Sequence, residues 1–356
     1  MVRVFYFYTM KDFIIVGAGL AGISFAETAF LNNKSFVVIN DDSQNSSRVA
    51  AGLYNPVILK RFSLPQDAAE HLTFITPFYK RIEERFNVTV KHELPVYRKF
   101  ASIEEQNNWF LAIDKPALEP FLSPEIIHTK YPSLPSPFGF GKVEHTGYVD
   151  TVALLEAYQS YLLKEDCLIR DTFDYDELIM EDDYISYKGI KAQHIVFAEG
   201  FGIHSNPYFK HLPLDGTKGE LLVIKAPELK LDVAVNASIF ILPMGNAIYK
   251  VGATYEWNDK TASPTEEGKK ELVEKLNELI SCDYEILEHL AGIRPTVKDR
   301  KPLIGTHPQY KRVHLLNGLG TRGVMLGPPL AKELYNSIVS GNPVRKETGL
   351  HRFKNQ

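Results

Sequence analysis

The chain has 356 residues, which is enough for about two domains of ordinary size. Hydrophobic residues make up 44% and charged residues 24%, and these values exclude a mostly disordered chain. There are 40 lysines and arginines against 44 acidic residues, so the net charge is −4. A general nucleic-acid-binding protein more often carries a strong basic excess, which argues against that class and leaves only a local basic patch open.

The two cysteines, Cys167 and Cys282, lie far apart and form no C-x-x-C motif, which argues against a thiol-ligated zinc site. The 11 histidines lack ligand spacing, so we expect no metal. No apolar run reaches the roughly 18–20 residues that span a membrane, and the start lacks signal-peptide features. We therefore expect a cytoplasmic protein. A start at Met10 would make residues 1–9 an upstream extension.

A strand, a glycine-rich turn, a helix and a second strand follow one another near the N-terminal end. Residues 12–16 form a short β-branched run, and Gly17-x-Gly19-x-x-Gly22 follows at once. In this arrangement Gly17 makes the tight turn, Gly19 lets the backbone approach a pyrophosphate, and Gly22 lets helix and strand pack closely. Free N–H groups at the helix start then face the phosphates. The pattern predicts a dinucleotide site with contacts at Gly17, Gly19, Leu20, Ala21 and Gly22.

The second strand, residues 35–40, ends where such folds place an acid that binds the ribose. The expected register puts Asn40 at this position and Asp41 one residue later. An amide hydrogen-bonds a hydroxyl less strongly than a carboxylate does. We therefore favour Asp41, with Asn40 as one alternative and a plain loop start as the other.

A second glycine-rich turn between a strand and a helix lies near the C-terminal end. Residues 313–318 predict a strand, residues 318–323 read GLGTRG, and Pro328-Pro329 would open the helix, since proline suits a first helical turn. Residues 194–200 predict another strand that ends in a small-residue turn. Both turns can face one long ligand, and backbone N–H groups at the second would stabilise an anionic reduced flavin. The candidate contacts are Gly200, Gly318, Gly320, Thr321, Arg322, Gly323 and Val324.

Eight segments, which follow one another along the chain in the family's order, resemble the FAD-dependent amino-acid oxidase superfamily. This superfamily includes glycine oxidase, D-amino-acid oxidase and sarcosine oxidase. The likeness covers nearly the whole chain. The matching segments are IIVGAGLAG at 14–22, SSRVAAGLYNP at 46–56, GYVDTVALLEAY at 147–158, HIVFAEG at 194–200, LPLDGTKGELLVI at 212–224, FILPMGNAIYKVGATY at 240–255, AGIRPTVKDRKPLIG at 291–305 and NGLGTRGVMLGPPLAKEL at 317–334.

The resemblance implies an α/β fold in which a Rossmann-like FAD-binding domain is interleaved with an α+β substrate domain built on a mostly antiparallel sheet. The proline-rich segment 115–141 reads as an irregular loop, which either covers the active site or is a plain surface connection. The expected bounds are 10–78, 145–205 and 290–345 for the FAD-binding domain, 79–144 and 206–289 for the substrate domain, and 1–9 and 346–356 for flexible termini.

The resemblance also assigns substrate-binding roles. Arg294 falls at the family's carboxylate-binding arginine, whose guanidinium grips a carboxylate with two parallel hydrogen bonds, and a structural ion pair is the alternative. Glycine oxidase has a tyrosine where this chain has Phe240, and the missing hydroxyl argues against a small amino acid. Tyr255 would supply a hydroxyl or else pack in the core. Lys250 matches the lysine that sarcosine oxidase uses near flavin N5 to activate oxygen, and an exposed strand lysine is the alternative.

Small residues after the second strand allow the backbone to lie against the flavin ring. Arg48, Ala50, Ala51 and Gly52 are the candidates. No cysteine occurs in the segments where covalent-flavin relatives attach the cofactor, so the resemblance implies non-covalent FAD.

These residues predict an FAD-dependent oxidoreductase that oxidises the C–N bond of a small-molecule amino acid or secondary amine. One alternative comes from GLGTRG, which looks most like the flavin domain of the bifunctional enzyme that trims carboxymethylaminomethyl-uridine in tRNA. The net charge argues against this tRNA substrate. The other alternative is a non-catalytic flavin-binding subunit of a dehydrogenase complex, which would tolerate losses such as the one at Phe240. The substrate, the electron acceptor and the oligomeric state stay open.

Overall fold

The structure, a computed structural model, describes residues 10–65, 67–128 and 131–353, so the expected extension at 1–9 lies outside the described residues. The strands are β1 Lys11–Val16, β2 Phe36–Ile39, β3 Leu53–Tyr54, β4 Lys91–Glu93, β5 Val96–Lys99, β6 Leu122–Ile127, β7 Phe140–Val143, β8 Gly147–Val149, β9 Leu168–Ile169, β10 Leu178–Met180, β11 Ile185–Tyr187, β12 Ile190–Phe197, β13 Thr217–Lys225, β14 Ala234–Asn236, β15 Phe240–Gly245, β16 Ile248–Gly252, β17 Glu285–Arg294, β18 Leu303–Thr306 and β19 Val313–Asn317. The helices are α1 Leu20–Leu31, α2 Ser46–Val49, α3 Ala68–Phe86, α4 Ile103–Ile113, α5 Thr151–Lys164, α6 Glu266–Leu279 and α7 Gly323–Ser340.

The first large sheet has a parallel centre in the order β9-β2-β1-β12-β19. The first half of β12 also pairs with β11, antiparallel, and β18 is antiparallel to β19. Because parallel strands end at one edge of a sheet, the residues after β1, β2, β12 and β19 meet at one crevice. This arrangement confirms the predicted Rossmann-like α/β architecture.

Alternate residues of the central strands pack on opposite faces of this sheet. Phe13 and Ile15 contact the cluster formed with α1, α5 and α7, whereas Ile14 and Val16 contact the cluster formed with β10, β11 and the segment after β12. Both faces are therefore covered, which explains why the sequence of β1 is an uninterrupted apolar run.

The second large sheet has the order β17-β13-β16-β15-β14-β5-β7-β6 and is antiparallel except for the β14–β5 pair. Helix α6 packs its apolar face, including Leu272 and Leu276, against this sheet. A small sheet of β3, β8 and β4 lies beside the two large ones. The predicted combination of a Rossmann-like domain and a mostly antiparallel sheet is thus present.

Helix α7 begins at Gly323, five residues before the predicted start at Pro328. Pro328 has no N–H to donate to the carbonyl of Val324, one helical turn earlier. The buried hydroxyl of Tyr79, on α3, donates to that carbonyl at 2.7 Å. A tertiary hydrogen bond therefore replaces the missing helical one, and the second glycine turn leads directly into α7.

The predicted loop 115–141 differs from the structure. It contains β6 and the start of β7, which form the far edge of the antiparallel sheet, and none of its described residues lines the large cavity. A frayed end was expected over 346–356, and the part of it that the structure describes, residues 346–353, makes contacts with the rest of the protein. The amide of Ile304 donates to the carbonyl of Thr348, and Arg352 makes an ion pair of 2.9 Å with Asp299. Since α3 crosses the expected boundary at 78 and β17 crosses that at 290, both boundaries fall inside elements.

Candidate functional site

The first glycine turn lies where β1 passes into α1. Gly17 has a φ of 101°, and a Cβ at this residue would lie 2.5 Å from the carbonyl oxygen of Ala198. A Cβ at Gly22 would lie 1.9 Å from the carbonyl oxygen of Gly17, so glycine is needed for helix–strand packing. Gly19 caps α1 without a side-chain hydrogen bond. The amide of Leu20 donates to the hydroxyl oxygen of Ser47, so the amides of Ala21 and Gly22 are the ones available to an anion in the first helical turn.

The first glycine turn lines a large cavity, and two residues at the end of β2, Asn40 and Asp41, line the same cavity. Asn40 accepts a hydrogen bond of 2.9 Å from the amide of Ala18, so its side chain helps hold the glycine turn. Asp41 accepts hydrogen bonds from the amide of Ser43 and the hydroxyl of Thr172. Burial alone would raise the pKa of Asp41, but these hydrogen bonds outweigh it and lower the pKa. Asp41 thus stays ionised at the crevice.

The second glycine turn is tied to the end of β12. The side-chain amide of Asn317 donates to the carbonyl of Gly200 at 2.8 Å, and its oxygen accepts from the amide of Gly318. Gly320 lines the cavity with φ at 56°, and its amide donates to the carbonyl of Pro295. Asn317 therefore links the second glycine turn to the small-residue turn that follows β12.

The small residues after α2 border the cavity beside the second turn. A Cβ at Gly52 would lie 1.9 Å from the carbonyl oxygen of Val149, so this backbone must pass close to β8. Lys250, on β16, extends its Nζ to within 3.5 Å of the carbonyl oxygen of Ala50. Burial lowers the pKa of Lys250. This lysine is therefore a half-buried group behind the cavity wall and not an exposed strand residue.

Arg294 ends β17 and projects into the cavity. Its guanidinium donates to the main-chain carbonyls of Lys218 and Thr254 at 3.2–3.3 Å. Among the described residues it makes no ion pair with a carboxylate, and burial lowers its pKa. A structural ion pair, the alternative considered above, is therefore absent at this residue in the described part of the chain.

Four other residues shape the space around this guanidinium. The ring of Tyr255 lies 4.6 Å from the guanidinium carbon and is 63% exposed, so Tyr255 is not a core residue. A Cβ at Gly219 would lie 1.8 Å from Nη2 of Arg294, so only glycine leaves room for the arginine. Phe240 and Leu221 line the cavity as apolar wall.

Some predicted residues do not line the cavity. Gly22 and Gly318 act in the packing of the turns, and Lys250 lies behind the wall. Arg48 turns away to hydrogen-bond Gln159 at 2.9 Å, and Arg322 reaches the sulfur of Met325 at 3.5 Å. The residues that do line one continuous cavity are Gly17, Gly19, Leu20, Ala21, Asn40, Asp41, Ala50, Ala51, Gly52, Gly200, Tyr255, Arg294, Gly320, Thr321, Gly323 and Val324.

Sequence reasoning missed several residues of the site. The hydroxyl of Ser47 accepts from the amide of Leu20 at 3.1 Å, and Glu199 and Tyr175 line the cavity near the first turn. The position of Glu199, directly before Gly200 at a strand end, was the available signal. Ser47 carried no such signal, because its contact depends on how the loop after β2 folds back.

The cavity fits a dinucleotide of the FAD type. Residues of both glycine turns, the start of α1 and Arg294 all contribute to its wall. Among the described residues, no group of three or more His, Cys, Asp or Glu side chains is placed to hold a metal ion. In the same residues we find no helix with the length and apolar character that crossing a membrane requires.

Related sequences support this interpretation. Glycine oxidase of Bacillus licheniformis is 30% identical over 164 residues, which is 44% of this chain and 44% of that protein. The tRNA 5-methylaminomethyl-2-thiouridine biosynthesis bifunctional protein MnmC of Marinobacter nauticus is 25% identical over 91% of this chain and 55% of its own length. The chain thus spans about half the length of the curated relatives it matches.

Solved structures share the fold. Glycine oxidase from Geobacillus kaustophilus superposes with a TM-score of 0.77 at 20% identity and covers 94% of this chain and 95% of its own. Iminodiacetate oxidase from Chelativorans has a TM-score of 0.77 at 17% identity, with 95% and 99% covered. The DAO family, described as FAD dependent oxidoreductase, matches residues 12–336. This chain therefore belongs to the DAO family of FAD-dependent oxidoreductases.

Proposed function

We propose that this protein oxidises the C–N bond of an amino acid or secondary amine that carries a carboxylate. The observation that carries the proposal is Arg294, a half-buried cation in the cavity wall without a carboxylate partner among the described residues. A desolvated guanidinium held only by carbonyl oxygens favours an anionic ligand. A substrate carboxylate satisfies that requirement.

The surrounding residues suit the positioning of such a substrate. The carboxylate would dock on Arg294, while Tyr255 covers the guanidinium and Phe240 and Leu221 exclude water from the α-carbon. FAD bound in this cavity would supply the acceptor for the hydride of the α-carbon, and water would hydrolyse the resulting imine. Because alignment supplies much of the rate enhancement, no side-chain base is required for this step.

Further assignments of cofactor-binding residues belong to the proposal. We assign the cradle of the pyrophosphate to Gly17, Gly19 and the start of α1, and the neighbourhood of the flavin ring to Ala50–Gly52 and the second turn. Lys250 would place a positive charge behind this wall, where it would favour transfer of negative charge to oxygen. We also propose non-covalent FAD, since neither Cys167 nor Cys282 lines the cavity.

A second candidate is the trimming of a carboxymethylaminomethyl group on tRNA uridine. The similarity to MnmC over 91% of the chain favours it, and so do the exposed rings of Tyr255 and Trp257, on which a base could stack. The group to be removed is a tethered glycine, so Arg294 would bind its carboxylate in either case. The two candidates therefore differ in what lies outside the cavity.

The deciding experiment adds candidate substrates to the purified protein in the absence of oxygen. Bleaching of the flavin absorbance then measures how far each substrate reduces the flavin. Glycine, sarcosine, D-amino acids, proline and tRNA bearing the modified uridine would be compared at matched concentrations. Bleaching by a small molecule supports the first candidate, and bleaching by the tRNA alone supports the second. Flavin that no member of this panel reduces would favour the non-catalytic subunit and contradict both.

A further inference from the structure

Glu199 lines the cavity beside the first glycine turn, where its Cα would lie 3.4 Å from a Cβ at Gly17. Glu199 follows the end of β12, and the carbonyl oxygen of the preceding residue, Ala198, limits the space at Gly17. Asn40 and Asp41 border the same part of the cavity. A dinucleotide in this crevice therefore passes close to Glu199, although the carboxyl group is outside the glycine motif.

Glu199 has hydrogen-bond donors but no cationic partner among the described residues. The hydroxyl of Tyr175 donates to one carboxyl oxygen, and the side-chain amide of Asn206 donates to the other at 2.7 Å. Burial, partly offset by these two hydrogen bonds and reinforced by the charge of Asp41, raises the pKa of Glu199 to about 7. The carboxyl group is thus poised between its two protonation states near neutral pH.

Asp41 and Asp171, two other carboxylates in the wall of this part of the cavity, do not share that property. Asp41 keeps a lowered pKa, as described above, and Asp171 forms a 2.7 Å ion pair with Lys188 that lowers its pKa. His204, on the segment that Glu199 caps, contacts the ring of Phe201. Tyr175 and Asn206 face Glu199 as neutral donors, and Tyr175 has a raised pKa because it is buried next to Glu199. Glu199 is therefore the acid expected to respond to a ligand.

An incoming FAD brings a diphosphate with two negative charges and removes water from the crevice. Both effects disfavour an ionised carboxylate nearby. We propose that Glu199 takes up one proton from solvent when FAD binds, so that the affinity for FAD falls as the pH rises above neutrality. The proposal rests on FAD binding in this cavity, as proposed above.

The sign of the effect follows from linkage between protons and ligand. Below a pH of about 7 Glu199 already carries its proton, so FAD binds without proton uptake. Above that pH each FAD bound requires one proton, and the dissociation constant for FAD rises toward tenfold per pH unit. FAD itself has no group that titrates near neutrality. A pH dependence in this range therefore reports on the protein.

The test measures the dissociation constant of FAD by dilution and ultrafiltration of the holoprotein between about pH 6 and about pH 8.5. We expect the wild-type constant to rise by up to about tenfold between pH 7.5 and pH 8.5, and that of Glu199→Gln to change less than about twofold. Glu199→Asp, which keeps a titratable carboxyl group, should keep the dependence. Glu177→Gln, an exposed change on the neighbouring 3-10 turn, should behave as wild type.

Two outcomes overturn the inference. A wild-type dissociation constant that stays flat over this range does so without any variant, which covers the case that Glu199→Gln fails to fold. A full pH dependence that persists in folded Glu199→Gln also overturns it. Absence of FAD binding at every pH would instead contradict the cofactor assignment, so the two failures are distinguishable.

Discussion

The wall of the cavity on the side of the parallel sheet contains the two glycine turns, whereas the wall on the side of the antiparallel sheet contains Arg294 and apolar side chains. Around Gly17 and Gly320, close approach and positive φ angles determine the shape. Around Arg294, shape and charge come from a guanidinium, an aromatic ring and an apolar wall on β13, β15 and β17. We call these two regions the cofactor wall and the substrate wall.

The difference has a consequence for specificity. Backbone amides bind the phosphates of a dinucleotide whatever the side chains are, so most substitutions in this wall leave cofactor binding unchanged unless they block the backbone. A wall of side chains changes its ligand preference when one residue changes, and Phe240, which has no hydroxyl group, is part of this wall. Substitutions that block the backbone of the cofactor wall should therefore act on FAD content, and those in the substrate wall on half-saturation by substrate.

The largest effect is expected for Gly19→Val. A Cβ at Gly19 would lie 3.0 Å from the hydroxyl oxygen of Ser47, and the branched side chain would enter the pyrophosphate path. Loss of two charge-assisted hydrogen bonds, at about 1.5–3 kcal/mol each, weakens FAD binding by at least about a hundredfold. Flavin content after gel filtration measures this loss.

Gly22→Ala is the matched control within the same motif. Its Cβ would lie 1.9 Å from the carbonyl oxygen of Gly17, so it should lower the melting temperature of the protein itself. Gly19→Val should leave the melting temperature of the apoprotein nearly unchanged. Normal FAD content in Gly19→Val would contradict the assignment of this turn to the cofactor wall.

Arg294→Ala comes next and tests the substrate wall. Removal of one partner of a desolvated charge pair costs about 2–5 kcal/mol of binding free energy. The concentration of a carboxylate substrate that gives half-saturation should therefore rise by more than tenfold. Arg294→Lys should recover only part of the loss, because an ammonium group cannot reproduce the planar fork. Flavin reduction against substrate concentration measures both.

FAD content provides the control for Arg294. The guanidinium contacts Lys218, Thr254 and Tyr255 and belongs to neither glycine turn, so the variants should stay yellow. A purely structural arginine would show the reverse pattern, with less flavin, a lower melting temperature and unchanged half-saturation of the folded fraction. That result would contradict the carboxylate site.

Tyr79→Phe should have a smaller effect, on the free energy of unfolding, because Tyr79 holds the start of α7 behind the cofactor wall. The variant leaves the carbonyl of Val324 without its donor, because Pro328 cannot replace it. An unsatisfied buried carbonyl costs about 1–3 kcal/mol of the free energy of unfolding. Denaturant unfolding measures the loss, and Tyr310→Phe, on an exposed ring, serves as the control. Equal stability of the two variants would show that this hydrogen bond contributes nothing.

The two walls also differ in how far they could be predicted from sequence. The first glycine motif, the strands at its sides and Arg294 were found because local spacing and family motifs specify them. The early start of α7 was not found, because it depends on a contact between Tyr79 and Val324, which are distant in sequence. The orientation of Arg48, toward Gln159 and away from the cavity, likewise depends on tertiary packing.

The antiparallel sheet limits prediction for the same physical reason. Gly219 must be glycine only because β13 lies next to β17 and the side chain of Arg294 crosses it. Nothing in the local sequence of β13 signals that constraint. The position of Glu199 after a predicted strand was visible in the sequence, but its interest comes from burial and from the lack of a cationic partner among the described residues. Sequence patterns show neither property.

The smallest effect is expected at Tyr255, and it separates the ring of this residue from its hydroxyl. The ring lies 4.6 Å from the guanidinium carbon of Arg294 and is 63% exposed, so cation–π attraction is worth about 0.5–1 kcal/mol. Tyr255→Ala should therefore raise half-saturation by about two- to fivefold, while Tyr255→Phe, which keeps the ring, should change it by less than twofold if the hydroxyl makes no contact with the substrate. An equal loss in both variants would instead assign the hydroxyl to the substrate carboxylate, where it would replace the group missing at Phe240.

If tRNA is the substrate, base stacking adds about 1–3 kcal/mol, and Tyr255→Ala should then weaken tRNA binding by more than it weakens binding of a free amino acid. Measuring both ligands with the same two variants thus locates the boundary of the substrate wall.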